Sequence, residues 1–485
     1  MKKVKSMLVV GGGTAGLVSA IILKKKLDID ISLVYSKNIG IIGVGEGSTE
    51  HWKEFMDVAG IDQYTLIKEC DATFKSGIMF ENWGDKTYFH NVIEPFSKTS
   101  GQYHCVYGKQ VSENSFVNSK GIWRSEISDW FVDKPNEYHA YQFHFNTHKL
   151  NDFLIKLARD NGIDLIEDEI SDIVLDAEGN IKNLVGEKQQ YHYDFYIDST
   201  GFKRLLIGKL GAKWQSYGQY LKMKSAITFQ TGDEDNYNYW TLARAMDYGW
   251  LFKIPVWGRH GNGYIFDSDY ITAEQAQQEI EQLLGKKIQV GKQFNFDPGA
   301  LDRAWIKNCC AIGLSGSFVE PLEATSIGTS IQQAFLLVHR LVNYNEQSIE
   351  CYNKSFNDIM ENIRDFIILH YVTNKTNTEF WKDVSKIKLP DSLQKKLDLW
   401  KSRLPIREDF NHLSDYILFK TSNFIVVMDG LDLFNRNDIK NEFESHNEIA
   451  RNYAHRLIED YHRYENSVTS ITHKKFVQII RDNQN

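Results

Sequence analysis

A glycine-rich turn close to the start of the chain constrains the fold more than any other feature. Met7-Leu8-Val9-Val10 is a short apolar run of the kind that forms a buried strand. It leads into Gly11-Gly12-Gly13-Thr14-Ala15-Gly16, in which Gly11, Gly13 and Gly16 fit G-x-G-x-x-G. Apolar residues then recur at helical spacing over Leu17–Lys26, and Ile29–Tyr35 reads as a second strand. Gly11 permits a tight turn, Gly13 lets the backbone approach a pyrophosphate, and Gly16 lets helix and strand pack closely. The helix N-terminus then faces phosphate charge. Strand, turn, helix and strand in this order predict a doubly wound module that binds a dinucleotide. The acid that often ends the second strand and holds a ribose hydroxyl is missing; Tyr35 and Ser36 stand there.

Three further segments narrow the nucleotide. Ile42-Gly43-Val44-Gly45-Glu46-Gly47-Ser48-Thr49 is a second glycine-rich loop, just after the second strand. Asp194–Gly201 reads as a strand ending at a polar turn, and Asn308–Ser326 comes later as a third such segment, each alone compatible with a strand-to-helix turn. Together they look like the interleaved loops that close over FAD in two-domain flavoproteins.

With 485 residues the chain is long enough for two or three packed units. A net charge of -8, spread over both signs, argues against a nucleic-acid surface. Met7–Val10 is too short for a signal-peptide core or a membrane span. The expectation is a cytoplasmic protein with neither nucleic acid nor membrane as partner. The five cysteines are odd in number and none has CxxC spacing, which argues against a disulfide scaffold or structural zinc. His144 and His148 have i, i+4 spacing, but no third ligand or HExxH pattern accompanies them. No metal is expected, and the pair reads as a polar helix start. The aromatic residues Tyr88, Phe89, Tyr103, Tyr107, Trp123 and Trp130 read as core. Asn437–His462 reads as one solvated amphipathic helix.

The chain resembles the flavin-dependent halogenase family, whose best-known members are the tryptophan halogenases. The resemblance runs over roughly residues 5 to 430. It is carried by Gly-Gly-Gly-Thr-Ala-Gly at 11–16, Gly-Val-Gly-Glu at 43–46, Phe74-Lys75, Asn82-Trp83 and Arg303-Ala304-Trp305. Glu320-Pro321-Leu322-Glu323, Arg364-Asp365-Phe366 and His370-Tyr371 continue it. The family's Trp-x-Trp-x-Ile-Pro signature stands here as Trp250-Leu251-Phe252-Lys253-Ile254-Pro255, with Phe252 in place of the second Trp.

The resemblance implies an enzyme that takes reduced FAD from a separate flavin reductase and uses O2 and halide to make hypohalous acid. That species crosses the protein interior to an activated carbon of a small aromatic substrate. The resemblance assigns Lys75 to hold it and Glu323 to assist at the carbon. Gly11, Gly13, Thr14, Ala15, Gly16, Gly43, Gly45 and Glu46 are then cofactor-binding. Thr325 and Ser326 hold the halide, and His90 contacts the substrate. Both catalytic roles make physical sense. A lysine in a dry interior loses preference for its charged form, and a nearby carboxylate orients it or removes a ring proton. Two departures shape the expectations. The family run Glu-Ser-Thr-Gly is Glu323-Ala324-Thr325-Ser326 here, so Ser326 narrows the backbone angles open to glycine and adds a hydroxyl. Iodide or bromide is therefore expected over chloride. No Trp follows Trp400, and Val92 takes an aromatic place near His90, so a more open site for phenols or indoles is expected.

The expected architecture is an α/β FAD-binding doubly wound, Rossmann-like module, from residues 1–80, 140–205 and 300–345. A mixed β-sheet substrate region, 80–140 and 205–300, is interleaved with it, and 345–485 forms a helical C-terminal part. A non-catalytic flavin-fold protein is one alternative, against which the presence of both Lys75 and Glu323 argues; a single-component flavin hydroxylase on the same fold is the other. It would reduce its own flavin with NAD(P)H, and only one dinucleotide fingerprint is present.

Overall fold

The computed structural model describes residues 3–40, 46–91, 102, 105, 119–120, 125–140, 142–467 and 469–483. The first strand forms over Ser6–Val10, with Met7, Leu8 and Val9 fully buried. Side chains buried on both faces are what a parallel strand covered by helices requires. It sits inside a six-stranded sheet in the order Asp164–Glu167, Asp30–Tyr35, Ser6–Val10, Phe195–Asp198, Cys309–Ala311, Trp305–Ile306. The first five strands run parallel and the last antiparallel. The helix Thr14–Lys26 is buried from Gly16 to Leu23 because it packs against His51–Ala59, Thr147–Asp160 and Thr325–Leu341. Lys24, Lys25 and Lys26 in its last turn complement the negative end of its dipole.

A seven-stranded mixed sheet stands beside this layer. Its order is Val290–Asn295, Ser225–Thr231, Arg259–Phe266, Gly249–Val256, Thr241–Ala245, Gly77–Glu81, Tyr88–Asn91. Its pairings are antiparallel except Thr241–Ala245 against Gly77–Glu81. A small sheet, Glu46–Gly47, Gln142–Phe145, Thr73–Lys75, ends at Lys75, and after Ser76 the chain enters the seven-stranded sheet. The α/β expectation with a mixed sheet and a helical C-terminal part therefore holds.

From Glu346–Leu369 onward the described chain is mainly helical. The single helix expected over 437–462 is instead two, Arg436–Ser445 and Glu448–Ser467. His446 leaves helical angles, and the Asn447 side chain accepts from Ala450 N–H to start the second helix. Ile439 and Phe443 are buried, whereas Ile449 and Tyr453 are 80% and 57% exposed. Of the aromatic residues read as core, Tyr88 and Phe89 are buried. Trp130 is half exposed, with Lys134 Nζ 4.7 Å over its ring. Tyr103, Tyr107 and Trp123 lie outside the described residues. Among the described residues no helix is long and apolar enough to cross a membrane.

The glycine turn is as tight as its sequence predicts. Gly11 has φ +121°, and a Cβ there would stand 2.2 Å from the Ser199 carbonyl oxygen. A Cβ on Gly16 would stand 2.1 Å from the Gly11 carbonyl oxygen, where only backbone can move. Gly16→Ala is therefore expected to destabilise the protein by about 1–3 kcal/mol, the usual cost of overpacking. The check is the midpoint of urea unfolding, and an unchanged midpoint would contradict the packing argument.

Candidate active site

One cavity of about 1560 Å³ touches both the glycine turn and the far glutamate. Gly11, Gly13, Thr14, Ala15 and Gly16 line one part of it, and Trp250, Phe252, Pro321 and Glu323 another. At the first part the residues fit a dinucleotide. A Cβ on Gly13 would meet nothing within 4 Å, so the turn leaves open space at the cavity wall. The helix Thr14–Lys26 has no side-chain cap and no acid in its first turn. Its leading N–H groups are thus unspent, as a phosphate site needs. Gly43 and Gly45 lie outside the described residues. Glu46 pairs through its backbone with Phe145.

A carboxylate from elsewhere in the chain stands where the second strand lacks its acid. Ser36 Oγ lies 3.2 Å from Glu169 Oε2, and both residues line the cavity. Glu169 follows Asp164–Glu167, the sheet neighbour of Asp30–Tyr35. The sheet order places this carboxylate at the end of the second strand, although 133 residues separate it from Ser36. Nothing local to Tyr35 or Ser36 reveals it.

Lys75 is buried at 4% exposure, and its Nζ donates to the Ser48 carbonyl at 2.7 Å. Burial pushes its ammonium down to about 8, with Glu323 and Glu50 resisting the shift. Glu323 is also buried, at a left-handed turn with φ 69°. His90 Nδ1 lies 2.7 Å from its Oε2, and His370 Nε2 lies 3.1 Å from its Oε1, off the line of a good hydrogen bond. Burial alone would raise this carboxyl, but the two imidazoles beside it outweigh burial and hold the group below its usual range. Glu323 is thus kept ionised in an interior that disfavours charge.

The surrounding hydrogen bonds assign both ring protons. Asn423 Oδ1 accepts from Lys420 N–H at 2.7 Å, which turns Asn423 Nδ2 toward His90 Nε2 at 3.1 Å. His90 therefore carries its proton on Nδ1 and gives it to Glu323. The ionised Glu323 can only accept, so His370 carries its proton on the Nε2 that faces it, and its Nδ1 takes the hydrogen of Tyr88 Oη, 2.9 Å away. His90, expected at the substrate, is fully buried with both nitrogens engaged. Its position beside Glu323 could not be read from its local sequence.

Thr325 and Ser326 open the helix Thr325–Leu341, and Ser326 lines the cavity. The helix has neither a side-chain cap nor an acid in its first turn. The narrowing expected at Ser326 does not occur, because Ser326 has helical angles that any residue adopts. The left-handed residues are Glu323 and Ala324. His144 and His148 do not share a helix: the first is on the strand Gln142–Phe145, the second on the helix Thr147–Asp160.

Sequence reasoning also passed over the second carboxyl of the Glu320-Pro321-Leu322-Glu323 run. Glu320 is fully buried; its Oε1 accepts from Trp250 Nε1–H at 3.1 Å and from the Tyr371 hydroxyl. Its Oε2 meets no partner among the described residues. Burial pushes this carboxyl up to about 8, so it holds a proton at neutral pH and braces the Trp250 indole at the cavity wall. The folded protein keeps a proton that the unfolded chain releases between the ordinary 4.5 and about 8. Stability should therefore fall as pH rises through that window. Glu320→Gln, which keeps the acceptor and cannot ionise, should flatten the fall. Thermal midpoints from pH 5 to 8 check it, and equal slopes for both proteins would refute it.

Residues 6–441 match the family described as tryptophan halogenase. A 7-chloro-L-tryptophan 6-halogenase of Kutzneria sp. (strain 744) is 30% identical over 449 residues, covering 83% of this chain and 86% of its own. A tryptophan 7-halogenase of Lentzea aerocolonigenes is 28% identical, covering 89% of this chain and 90% of its own. The crystal structure of a tryptophan halogenase from Shewanella frigidimarina superposes with a TM-score of 0.90 at 25% identity, covering 99% of this chain and 98% of its own. The fold, the cavity and the ordered run of motifs agree with these matches, and the chain belongs to the tryptophan halogenase family of flavin-dependent enzymes.

Proposed function

We propose that this chain halogenates an activated aromatic carbon, with Lys75 holding hypohalous acid and Glu323 assisting at the ring. The observation that carries this reading is a buried, ionised carboxylate and an unspent glycine-turn helix N-terminus on one cavity, with a buried ammonium whose Nζ is 3.5 Å from where a Cβ on the cavity-lining Gly47 would stand. Gly11, Gly13, Thr14, Ala15 and Gly16 would hold FAD, with Glu169 available to its ribose; the bound group would supply, in its reduced form and with O2, the oxidising power that converts halide to hypohalous acid. The single dinucleotide turn supports delivery of reduced flavin by a separate reductase. A hydroxylase that reduces its own flavin loses its support to the family match.

In this reading Lys75 donates an N–H to the oxygen of the hypohalous acid, and the Ser48 carbonyl keeps the side chain aimed. Glu323 faces the positive charge that develops on the ring and takes the ring proton. His90 acts on Glu323 rather than on the substrate. The Gly43, Gly45 and Glu46 loop is read as a further part of the flavin site. Relatives are named for tryptophan; the absence of Trp beyond Trp400 and the Val92 replacement support phenols or indoles as the preferred rings here.

The test combines the protein, FAD, a flavin reductase, NADH and halide with a panel of indoles, phenols, anilines and free tryptophan, read by mass spectrometry. Lys75→Ala should abolish halogenation while reduced flavin is still consumed by O2. Glu323→Gln should slow it by about 10²-fold, as lost acid–base assistance does. Because the Lys75 ammonium is lost above about 8 rather than 10.5, activity should decline on that alkaline limb. Wild-type halogenation by Lys75→Ala would overturn the assignment.

We further propose that the leading N–H groups of Thr325 and Ser326 hold the halide, and that iodide or bromide is preferred over chloride. With the backbone at Ser326 helical, the argument rests on its added hydroxyl and on desolvation. Chloride is the smallest and most strongly hydrated of the three, so an imperfect anion site disfavours it most. Equal concentrations of the three halides competing for one phenol should give mainly iodinated or brominated product, and Ser326→Gly should shift the balance toward chloride. Predominant chlorination by the unaltered protein would refute this preference.

A further inference from the structure

A polar chain runs from the cavity into the small sheet behind Lys75. Gly47 and Thr73 both pair with His144, and Lys75 pairs with Gln142, so these residues share one three-stranded patch. Thr241 opens the adjoining strand of the seven-stranded sheet, and both Gly47 and Thr241 line the cavity. A Cβ on Gly47 would stand 3.5 Å from Lys75 Nζ, 3.6 Å from His144 Cδ2 and 3.6 Å from Thr241 Oγ1. The glycine therefore leaves one small void, flanked by an amine and a hydroxyl.

The direction of the hydrogen bonds in this chain is fixed at its far end. The Pro255 carbonyl, in the Ile254-Pro255 of the family signature, can only accept, and Thr73 Oγ1 donates to it at 2.8 Å. Thr73 has thereby spent its proton, so its contact of 3.4 Å with His144 Nδ1 requires that nitrogen to be the donor. His144 Nε2 is then bare and accepts from Thr241 Oγ1 at 2.8 Å. Burial, first, and then the neighbouring Lys75 hold the His144 imidazolium well below its usual range, in keeping with a neutral ring. The Thr241 hydrogen points at His144, and its lone pairs are left for the void. Lys75 spends one N–H on Ser48 and, among the described residues, none of the others.

We infer that Thr241 is a second catalytic group beside Lys75: it accepts the hydrogen of hypohalous acid while Lys75 donates to its oxygen. His144 is the positioning residue that turns the Thr241 hydroxyl. The inference rests on the proposed role of Lys75. A donor and an acceptor flanking one void hold H–O–X by both ends of its O–H bond, which leaves the halogen free to face the ring. In the transfer the carbon–halogen bond forms as the oxygen–halogen bond breaks. The hydroxide released takes a proton from the Lys75 ammonium and leaves as water. Glu323 takes the ring proton, and its return to Lys75 resets the pair. No proton crosses Thr241; it holds the geometry.

The experiment uses the full chain with FAD, a separate reductase, NADH, bromide and indole. It reads bromoindole formed per flavin oxidised, and hypobromite escaping to a β-diketone trap in solution. Thr241→Val should lower the coupled product about tenfold, the worth of one hydrogen bond made in the transition state, and raise the trapped fraction, with flavin oxidation unchanged. Thr241→Ser should stay within about twofold of the unaltered protein, since it keeps the hydroxyl. His144→Gln, whose amide oxygen can accept from Thr241, should retain more coupling than His144→Leu. Unchanged coupling in Thr241→Val, or equal losses in Thr241→Ser and Thr241→Val, overturns the inference. Should Thr241→Val fail to fold, the His144 pair decides: equal losses in His144→Gln and His144→Leu overturn it. Lys75→Ala separates the two readings. If it halogenates like the unaltered protein, the role of Lys75 fails; if it is inactive while Thr241→Val stays coupled, only the inference about Thr241 fails.

Discussion

The constraint on which the rest of this structure depends is the cost of keeping charge in a dry interior. An unpaired buried ion costs several kcal/mol even after relaxation. Lys75 and Glu323 are both nearly inaccessible, so each must be compensated by groups that cannot drift. For Lys75 these are the Ser48 carbonyl and the fields of Glu323 and Glu50. For Glu323 they are His90 and His370, one from an edge strand and one from the end of a long helix. Ring packing holds these partners in place. Phe80 stacks on His370 at 4.4 Å and 14°, and on Tyr88 at 4.7 Å and 5°, while the Tyr88 hydroxyl lies 2.9 Å from His370 Nδ1. One carboxylate thus ties the seven-stranded sheet to the helical C-terminal part. Removing either imidazole would leave a buried charge half compensated, which is costlier than never having made the pair.

What could be read from the sequence was what a few adjacent residues determine. Gly11, Gly13 and Gly16 stand in one short turn, and the structure shows the clashes a Cβ would make at Gly11 and Gly16 and the open space it would meet at Gly13. The strands at 6–10 and 195–198 are apolar runs bounded by turns, and both are present. Lys75 and Glu323 were singled out by the order of motifs, and both are buried, Glu323 at the cavity wall. Their partners were not legible, because each comes from a distant part of the chain. Glu169 reaches Ser36 only through the order of strands in the sheet. His90 has no local mark that separates a ligand-facing ring from one locked between Glu323 and Asn423. His144 looked like part of a helix start because i, i+4 spacing is ambiguous where a strand meets a helix, and the strand ends at Phe145. The break after Ser445 rests on one side-chain cap, which a hydrophobic pattern does not register.

The turn before the helix Thr325–Leu341 shows where stability has been given up. Glu323 and Ala324 both have positive φ, at 69° and 53°, in side-chain-bearing residues that avoid that region. Each costs about 1–2 kcal/mol. Ala324 also sits at the N-cap of Thr325–Leu341, where it offers no acceptor. A Ser or Asp there would return roughly 0.5–2 kcal/mol, but its side chain would occupy the N–H groups that face the cavity. Two strained residues and a missing cap in consecutive positions are hard to explain as packing alone; they make sense where the backbone must present free donors to an anion and turn a carboxylate inward. The offset comes from the rest of the body, and part of it from beyond the residues that match the family. His473, in the last helix, accepts the Phe74 N–H on its Nε2 at 3.1 Å and stacks on the Phe74 ring. That N–H belongs to the strand that ends in Lys75, and it faces away from the paired strand. The end of the described chain thus holds the outer edge of the strand whose last side chain carries the ammonium, and the rigidity of the site depends on contacts made across nearly its whole length.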